Sequence, residues 1–179
     1  MSDDFQPLND AEWPSEIADM MPGFAGGLNV YRVMAHHPAL LRAWATLRDH
    51  IVHDSVVLPD QREIVILRAG HRLGADYEWV HHVSRSRALG MDEARIMGIT
   101  GPASTMEPAD AVLVNAVDAL IDSARLDRQA RNALEQLLGP QGVFDVIATV
   151  GFYTTLAFIV KSFDVPIDAD ITNPSGGQQ

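Results

Sequence analysis

Glu78 and His82 stand four residues apart, so on a helix their side chains leave adjacent turns toward the same side. A carboxylate next to an imidazole orients the ring and favours its protonated form, and histidine titrates near neutral pH. The chemistry such a pair offers is proton transfer. The same spacing also describes an ordinary surface ion pair worth a few tenths of a kcal/mol, roughly 0.2–0.5. A further acid, Glu63, lies upstream. It is a candidate to hold or relay a proton, and equally a candidate to close a capping box with Asp60 three residues before it. His81 adjoins His82, but neighbouring rings on a helix diverge by about 100°. At most one of the two shares a face with Glu78, and His81 is expected to pack or to face solvent. His71 belongs to the preceding helix and reaches the pair only if the turn at Gly74 folds the chain back. Tyr77, Trp79 and Val83 flank the pair and read as the wall of an apolar pocket or core.

Other chemistry is narrowed by what the chain lacks. It has no cysteine among its 179 residues, which removes disulfides, thiolate metal sites and sulfur nucleophiles. Glu78, His82 and His71 are suitable ligand types for a divalent ion, yet His-Glu-x-x-His and the paired Glu-x-x-His of di-iron bundles are missing. The expectation is no metal and no cofactor. No Gly-x-Gly-x-x-Gly, phosphate-cradling loop or Gly-x-Ser-x-Gly elbow occurs. Thirteen basic against 24 acidic side chains give a net charge of −11, which disfavours nucleic acid and anionic lipid as partners. The longest uncharged apolar run, Val146 to Val160, is shorter than the ~20 residues needed to span a bilayer. It reads as a helix covered by the core or by another subunit. The acidic start has no secretory layout, and the expected location is cytoplasmic.

The elements that must position these residues are helical nearly throughout. A content of 47% hydrophobic and 21% charged residues fits one globular domain with a real core. Residues 1–27 read as an N-terminal arm, 28–165 as a single helical domain and 166–179 as a polar, frayed tail. One helix is expected from Leu28 to Ala35. A second starts at Pro38, with Leu40, Leu41, Trp44, Leu47 and Ile51 on one buried face. Asp60 is expected to open a helix toward Arg72, and Asp76 to cap another ending near Gly90. A short helix from Asp92, a loop over Gly98–Pro108 and helices near 108–123, 128–138 and 142–163 complete the chain.

The segment from about Leu58 to Ile99 resembles the carboxymuconolactone decarboxylase superfamily, which includes the alkylhydroperoxidase D-like (AhpD-like) proteins. In the thiol branch a Glu is followed by eleven residues and then Cys-x-x-Cys-x-x-x-His. Here Glu63 and His82 match, while Ala75 and Glu78 occupy the cysteine places. The thiol peroxidase relay therefore does not carry over. The decarboxylase branch is the closer likeness, through Tyr77-Glu78-Trp79-Val80-His81-His82 followed by Gly90-Met91-Asp92-Glu93. The resemblance implies an all-α, AhpD-like helical bundle assembling into trimers or hexamers, with the site near subunit contacts. It implies a lyase-type role in the breakdown of aromatic compounds. The decarboxylases keep an Arg where this chain has Val80; Arg85 and Arg87 are the cations available to bind an anionic substrate instead.

The reading that follows is a cofactor-independent acid–base enzyme acting on a small carboxylate or lactone by decarboxylation or isomerisation. His82, Glu78 and Glu63 are the expected catalytic residues; Trp79, Tyr77, His71 and Arg85 are expected to bind substrate. A non-catalytic helical oligomer and a metal-dependent hydrolase are the alternatives.

Overall fold

Every regular element among residues 5–172, the part described by the computed structural model, is helical. The first four residues of the arm and the last seven of the tail lie outside the described residues. A 3-10 segment, Ser15–Met20, precedes α1 (Phe24–Gly27), α2 (Asn29–Met34) and α3 (Pro38–Asp49). A π turn over His50–Asp54 leads to α4 (Pro59–Leu73), α5 (Asp76–Ala88) and α6 (Glu93–Gly98). A 3-10 turn then joins α7 (Pro108–Ser123), α8 (Arg128–Ser162) and α9 (Ala169–Thr172).

Helix α4 is the hub, packing against α5, α7 and α8. Its buried run Ile64–Leu67 is apolar all round, as a helix enclosed on every side must be. Two apolar clusters form the core. One joins Ile17, Ala25, α2, Leu41 and Ile51 to the later part of α8, including Phe152, Tyr153 and Leu156. The other joins α4, Ile96, Ile99, α7 and the middle of α8 at Val143, Val146 and Val150. Helices α4, α5 and α8 send residues into both. The described part of the N-terminal arm is thus seated on the core, through Ile17 and Ala25 with Leu8 and Trp13 packed against them.

Several starts and stops follow the sequence. Pro38, Pro59 and Pro108 sit in first turns, where the missing N–H costs nothing. The Asp92 carboxylate accepts from the Ala94 and Arg95 amides and caps α6. The start of α4 differs from expectation. Pro59 takes the first helical position, so Leu58 is the cap; its side chain has no acceptor, and the one capping bond is the Leu58 amide donating to Gln61 Oε1 at 3.3 Å. Asp60 is engaged by Arg95 instead, and Glu63 is freed from capping. At α5 the cap is Ala75, with Asp76 already inside the first turn.

The break expected at Gly139-Pro140 is present: Gly139 adopts φ 75°, ψ 173°, and two helical segments meet there in a kink within the long element α8. That element is apolar and long enough to cross a membrane by length and composition, with 56% of its most apolar window buried inside the fold. Leu41 on α3 and Ile51 in the π turn after it are fully buried, whereas Leu40 and Leu47, expected on the same buried face, stay 43% and 41% exposed. The five apolar positions span a stripe wider than the surface α3 lays against the core.

Candidate active site

Gly74 makes the site possible. It takes the left-handed conformation, φ 58°, and closes α4 in a Schellman turn in which the Ala75 amide bonds the Gly70 carbonyl at 2.9 Å. The chain reverses, and α5 runs back along α4. The two helices lie close at Gly70, where a Cβ would make ordinary van der Waals contact with the Glu78 Cβ at 3.5 Å. The fold-back brings Glu63, near the start of α4, against the second turn of α5.

The result is a buried line of three titratable groups. His82 Nδ1 lies 2.6 Å from Glu63 Oε2, and His82 Nε2 lies 3.7 Å from Glu78 Oε2. All three residues are buried, and Tyr153 sits edge-on to the His82 ring with centroids 5.0 Å apart. An ionised Glu63 only accepts, so Nδ1–H donates to it; the lone pair of the neutral ring then sits on Nε2, facing Glu78. Burial pushes His82 below its ordinary range despite the opposing pull of Glu63. Burial also raises Glu78 to about 7, His81 and Arg85 drawing it down only in part. Glu78 Oε1 is buried and without a hydrogen-bond partner among the described residues. These conditions favour an uncharged carboxylic acid beside an uncharged imidazole near neutrality.

The group opens on a small cavity lined by Leu28, Val30, Tyr31, Tyr77, Glu78, His81, His82, Arg85, Tyr153 and Leu156. Its volume is about 10 Å³, the space of roughly one water. Burial raises both tyrosines of the inner wall, Tyr31 to about 12 and Tyr153 well above the ordinary phenol range.

Of the residues singled out by sequence, the structure gathers Glu63, Glu78, His82, Tyr77 and Arg85. It does not gather His71 and Trp79. Trp79 packs on the second core cluster, and His71 is exposed with its ring 6.1 Å from the Trp79 ring. On α5 the positions Glu78, His82 and Arg85 follow one helical stripe, and Trp79 turns about 100° away from it.

His81 and Asp168 are the participants that spacing did not reveal. His81 is buried, stacks on Tyr77 at 4.1 Å, donates from Nδ1 to the Tyr77 carbonyl and lies 2.8 Å from Asp168 Oδ2 through Nε2. Asp168 also accepts from the Tyr77 hydroxyl and from the Asn29 amide. Burial works against ionisation at Asp168, but the His81 and Tyr77 hydrogen bonds outweigh it and hold the carboxyl below its ordinary range. The segment expected to fray at Pro166 is therefore tied down through Asp168 and Val165. The polar composition of that segment concealed a single clasping carboxylate.

Residues 38–122 match the Carboxymuconolactone decarboxylase family. That segment carries the likeness to the carboxymuconolactone decarboxylase family. The fold agrees. An uncharacterized peroxidase-related protein from Ralstonia eutropha JMP134, an alkylhydroperoxidase AhpD core, superposes with a TM-score of 0.80 at 14% identity, covering 94% of this chain and 95% of that one. A peroxidase-related protein from Silicibacter sp. TM1040 gives 0.78 at 15% identity over 94% and 92%. The debrominase Bmp8 in complex with 2,3,4-tribromopyrrole gives 0.74 at 17% identity over 94% and 93%. At these identities the superpositions establish a shared architecture. No curated protein matches the chain. Among the described residues no three His, Asp or Glu side chains are grouped as metal ligands.

Proposed function

We propose that this carboxymuconolactone decarboxylase-like chain is a cofactor-independent acid–base enzyme of the decarboxylase branch, acting on a small carboxylate or lactone by decarboxylation or isomerisation. The observation that carries the reading is the buried line Glu63–His82–Glu78 ending at an unpartnered Glu78 oxygen beside a cavity. The geometry favours a change of roles from those expected by spacing. Glu63 fixes the ring of His82, and Glu78, rather than His82, is the group that exchanges a proton with substrate. In decarboxylation the C–C bonding pair stays on the organic fragment as CO₂ departs. The Glu78 carboxyl then gives its proton to that carbon, and the resulting carboxylate is reprotonated from solvent with the His82 ring alongside. In isomerisation the ionised fraction of Glu78, available from about pH 7 upward, removes a proton at one carbon and returns it at another. Positioned proton transfer of this kind supplies about 10²–10⁴-fold.

A substrate larger than one water displaces the wall formed by Leu28, Val30 and Tyr31. The small cavity is also the observation that favours the second reading, a non-catalytic helical oligomer in which the three groups serve packing. Screening the purified protein against small lactones and unsaturated carboxylates, with CO₂ release and product spectra followed, separates the two. Turnover abolished by Glu78→Gln supports the enzyme; no turnover on any member of the screen supports the non-catalytic reading.

The proposal includes a cytoplasmic homo-oligomer, a trimer or hexamer. Phe144, Ile147 and Phe158 lie on one side of α8 and are 74%, 42% and 59% exposed in the single chain. An apolar stripe of that kind calls for cover.

A further inference from the structure

Arg85 stands apart from most arginines of this protein. Arg68 and Arg72 share Asp118, Arg95 holds Asp110 and Asp60, and Arg32, Arg42 and Arg87 each pair with an acid. Arg85 is half-buried, lines the cavity and has no hydrogen-bond or ion-pair partner among the described residues. Its charge bears on Glu78, His82, Tyr31 and Tyr153 together, so the guanidinium is held close to the groups around the cavity. Arg48 also reaches Tyr31 from behind the wall, but it does not line the cavity, pairs with Asp49 at 3.1 Å and lies 4.0 Å over the Phe24 ring. His81, also on the wall, is engaged by Asp168. One arginine without a partner therefore faces a cavity that Glu78, His81 and His82 share with Leu28, Val30, Leu156 and three tyrosines.

We infer that the site takes a small monoanionic substrate, its single carboxylate paired with Arg85 and its reacting carbon placed at Glu78. This rests on the acid–base reading and narrows it. A guanidinium matches a carboxylate in a two-point, planar fashion, and that pairing gives the ligand one orientation. A dicarboxylate brings its second charge beside Glu78 and the apolar and phenolic wall, where His81 is already engaged by Asp168 and no second arginine lines the cavity. An anchored carboxylate is stabilised as a carboxylate, which makes it a poor leaving group. Of the two reactions proposed above, the proton shift elsewhere in the molecule is the one that suits a monoanion held in this way.

A matched series tests the inference: sorbate, a six-carbon monocarboxylate diene; trans,trans-muconate, the same chain with a second carboxylate; and methyl sorbate, which is neutral. Binding is measured by calorimetry at neutral pH on the intact protein, alongside Arg85→Met, Arg85→Lys and Glu78→Gln. Sorbate should bind about 10- to 100-fold more tightly than the other two, the scale of a charge-assisted hydrogen-bonded pair. Arg85→Met should remove that preference, Arg85→Lys should keep part of it, and Glu78→Gln should retain it. Muconate binding as tightly as sorbate, no discrimination between sorbate and its ester, or no sorbate binding at millimolar concentration overturns the inference. Should Arg85→Met fail to fold by circular dichroism, the wild-type ligand series still decides. The acid–base reading fails separately: turnover of an identified substrate would survive Glu78→Gln while the binding preference stayed intact.

Discussion

His82 is bonded at 2.6 Å to Glu63, nineteen positions upstream, and stands 3.7 Å from Glu78, four positions upstream on its own helix. The partner that helical spacing nominates is the looser one. Glu63 fixes the tautomer and plane of the imidazole from a neighbouring helix, and Glu78, which lines the cavity, is left with a buried oxygen that has no hydrogen-bond partner among the described residues. That division of labour decides what each substitution should do.

His82→Ala removes the ring that joins the two carboxyl groups. Turnover of whichever substrate the screen identifies should fall by about 10²–10⁴-fold. The helical circular dichroism should persist, although the emptied site lowers thermal stability. Undiminished turnover by a folded His82→Ala protein contradicts the role given to the ring.

Glu78 makes a pH-dependent contribution whose sign follows from its environment. The folded protein keeps the proton up to about 7, whereas the ordinary value is 4.5. Between those values the native state binds more protons than the unfolded chain, so this group makes stability fall as pH rises through the window. His82 acts in the opposite sense, because its ring is harder to protonate when folded, and its contribution is lost as pH falls below 6.5. Denaturant titrations of wild type and Glu78→Gln from pH 5 to pH 8 separate the two. The variant should gain stability relative to wild type toward pH 8, and a constant difference across that range speaks against a raised Glu78.

Asp168 ties the C-terminal segment to α2 and α5 through Asn29, Tyr77 and His81. Asp168→Asn keeps the shape but weakens charge-assisted bonds, and about 1–3 kcal/mol of stability should be lost at pH 7. Because the carboxyl is held below its ordinary range, its contribution is present above 3.8 and fades as pH falls through the lowered folded value. The deficit of the variant should therefore shrink in acid. Equal melting temperatures at pH 7 contradict the clasp.

The stripe on α8 predicts a concentration-dependent assembly. Light scattering coupled to size exclusion should give a multiple of the 19.6 kDa chain, and Phe144→Glu with Phe158→Glu should shift it toward the monomer. A wild-type monomer at micromolar concentration contradicts the proposed oligomer.

The helices were legible because their punctuation is local. Proline at first turns, Asp92 as a cap and Gly74 as a stop act within a few residues. The union of Glu63 with His82 was legible only through resemblance, since the residues stand on separate helices joined by that glycine. Asp168 was not legible at all. A lone carboxylate in a polar tail carries no periodic signal, and its meaning comes from a histidine 87 positions away. Leu40 and Leu47 misled for a related reason: periodicity marks an apolar stripe but says nothing of how much of it the same chain covers.

The central claim is that Glu78 holds its proton to near neutrality at the head of the Glu63–His82 pair. Carbon-13 NMR of the side-chain carboxyl groups, titrated with pH and assigned by the Glu78→Gln variant, measures this directly. The account predicts one glutamate resonance that titrates near pH 7 and disappears in the variant. A Glu78 resonance titrating in the ordinary range near 4.5 would contradict it.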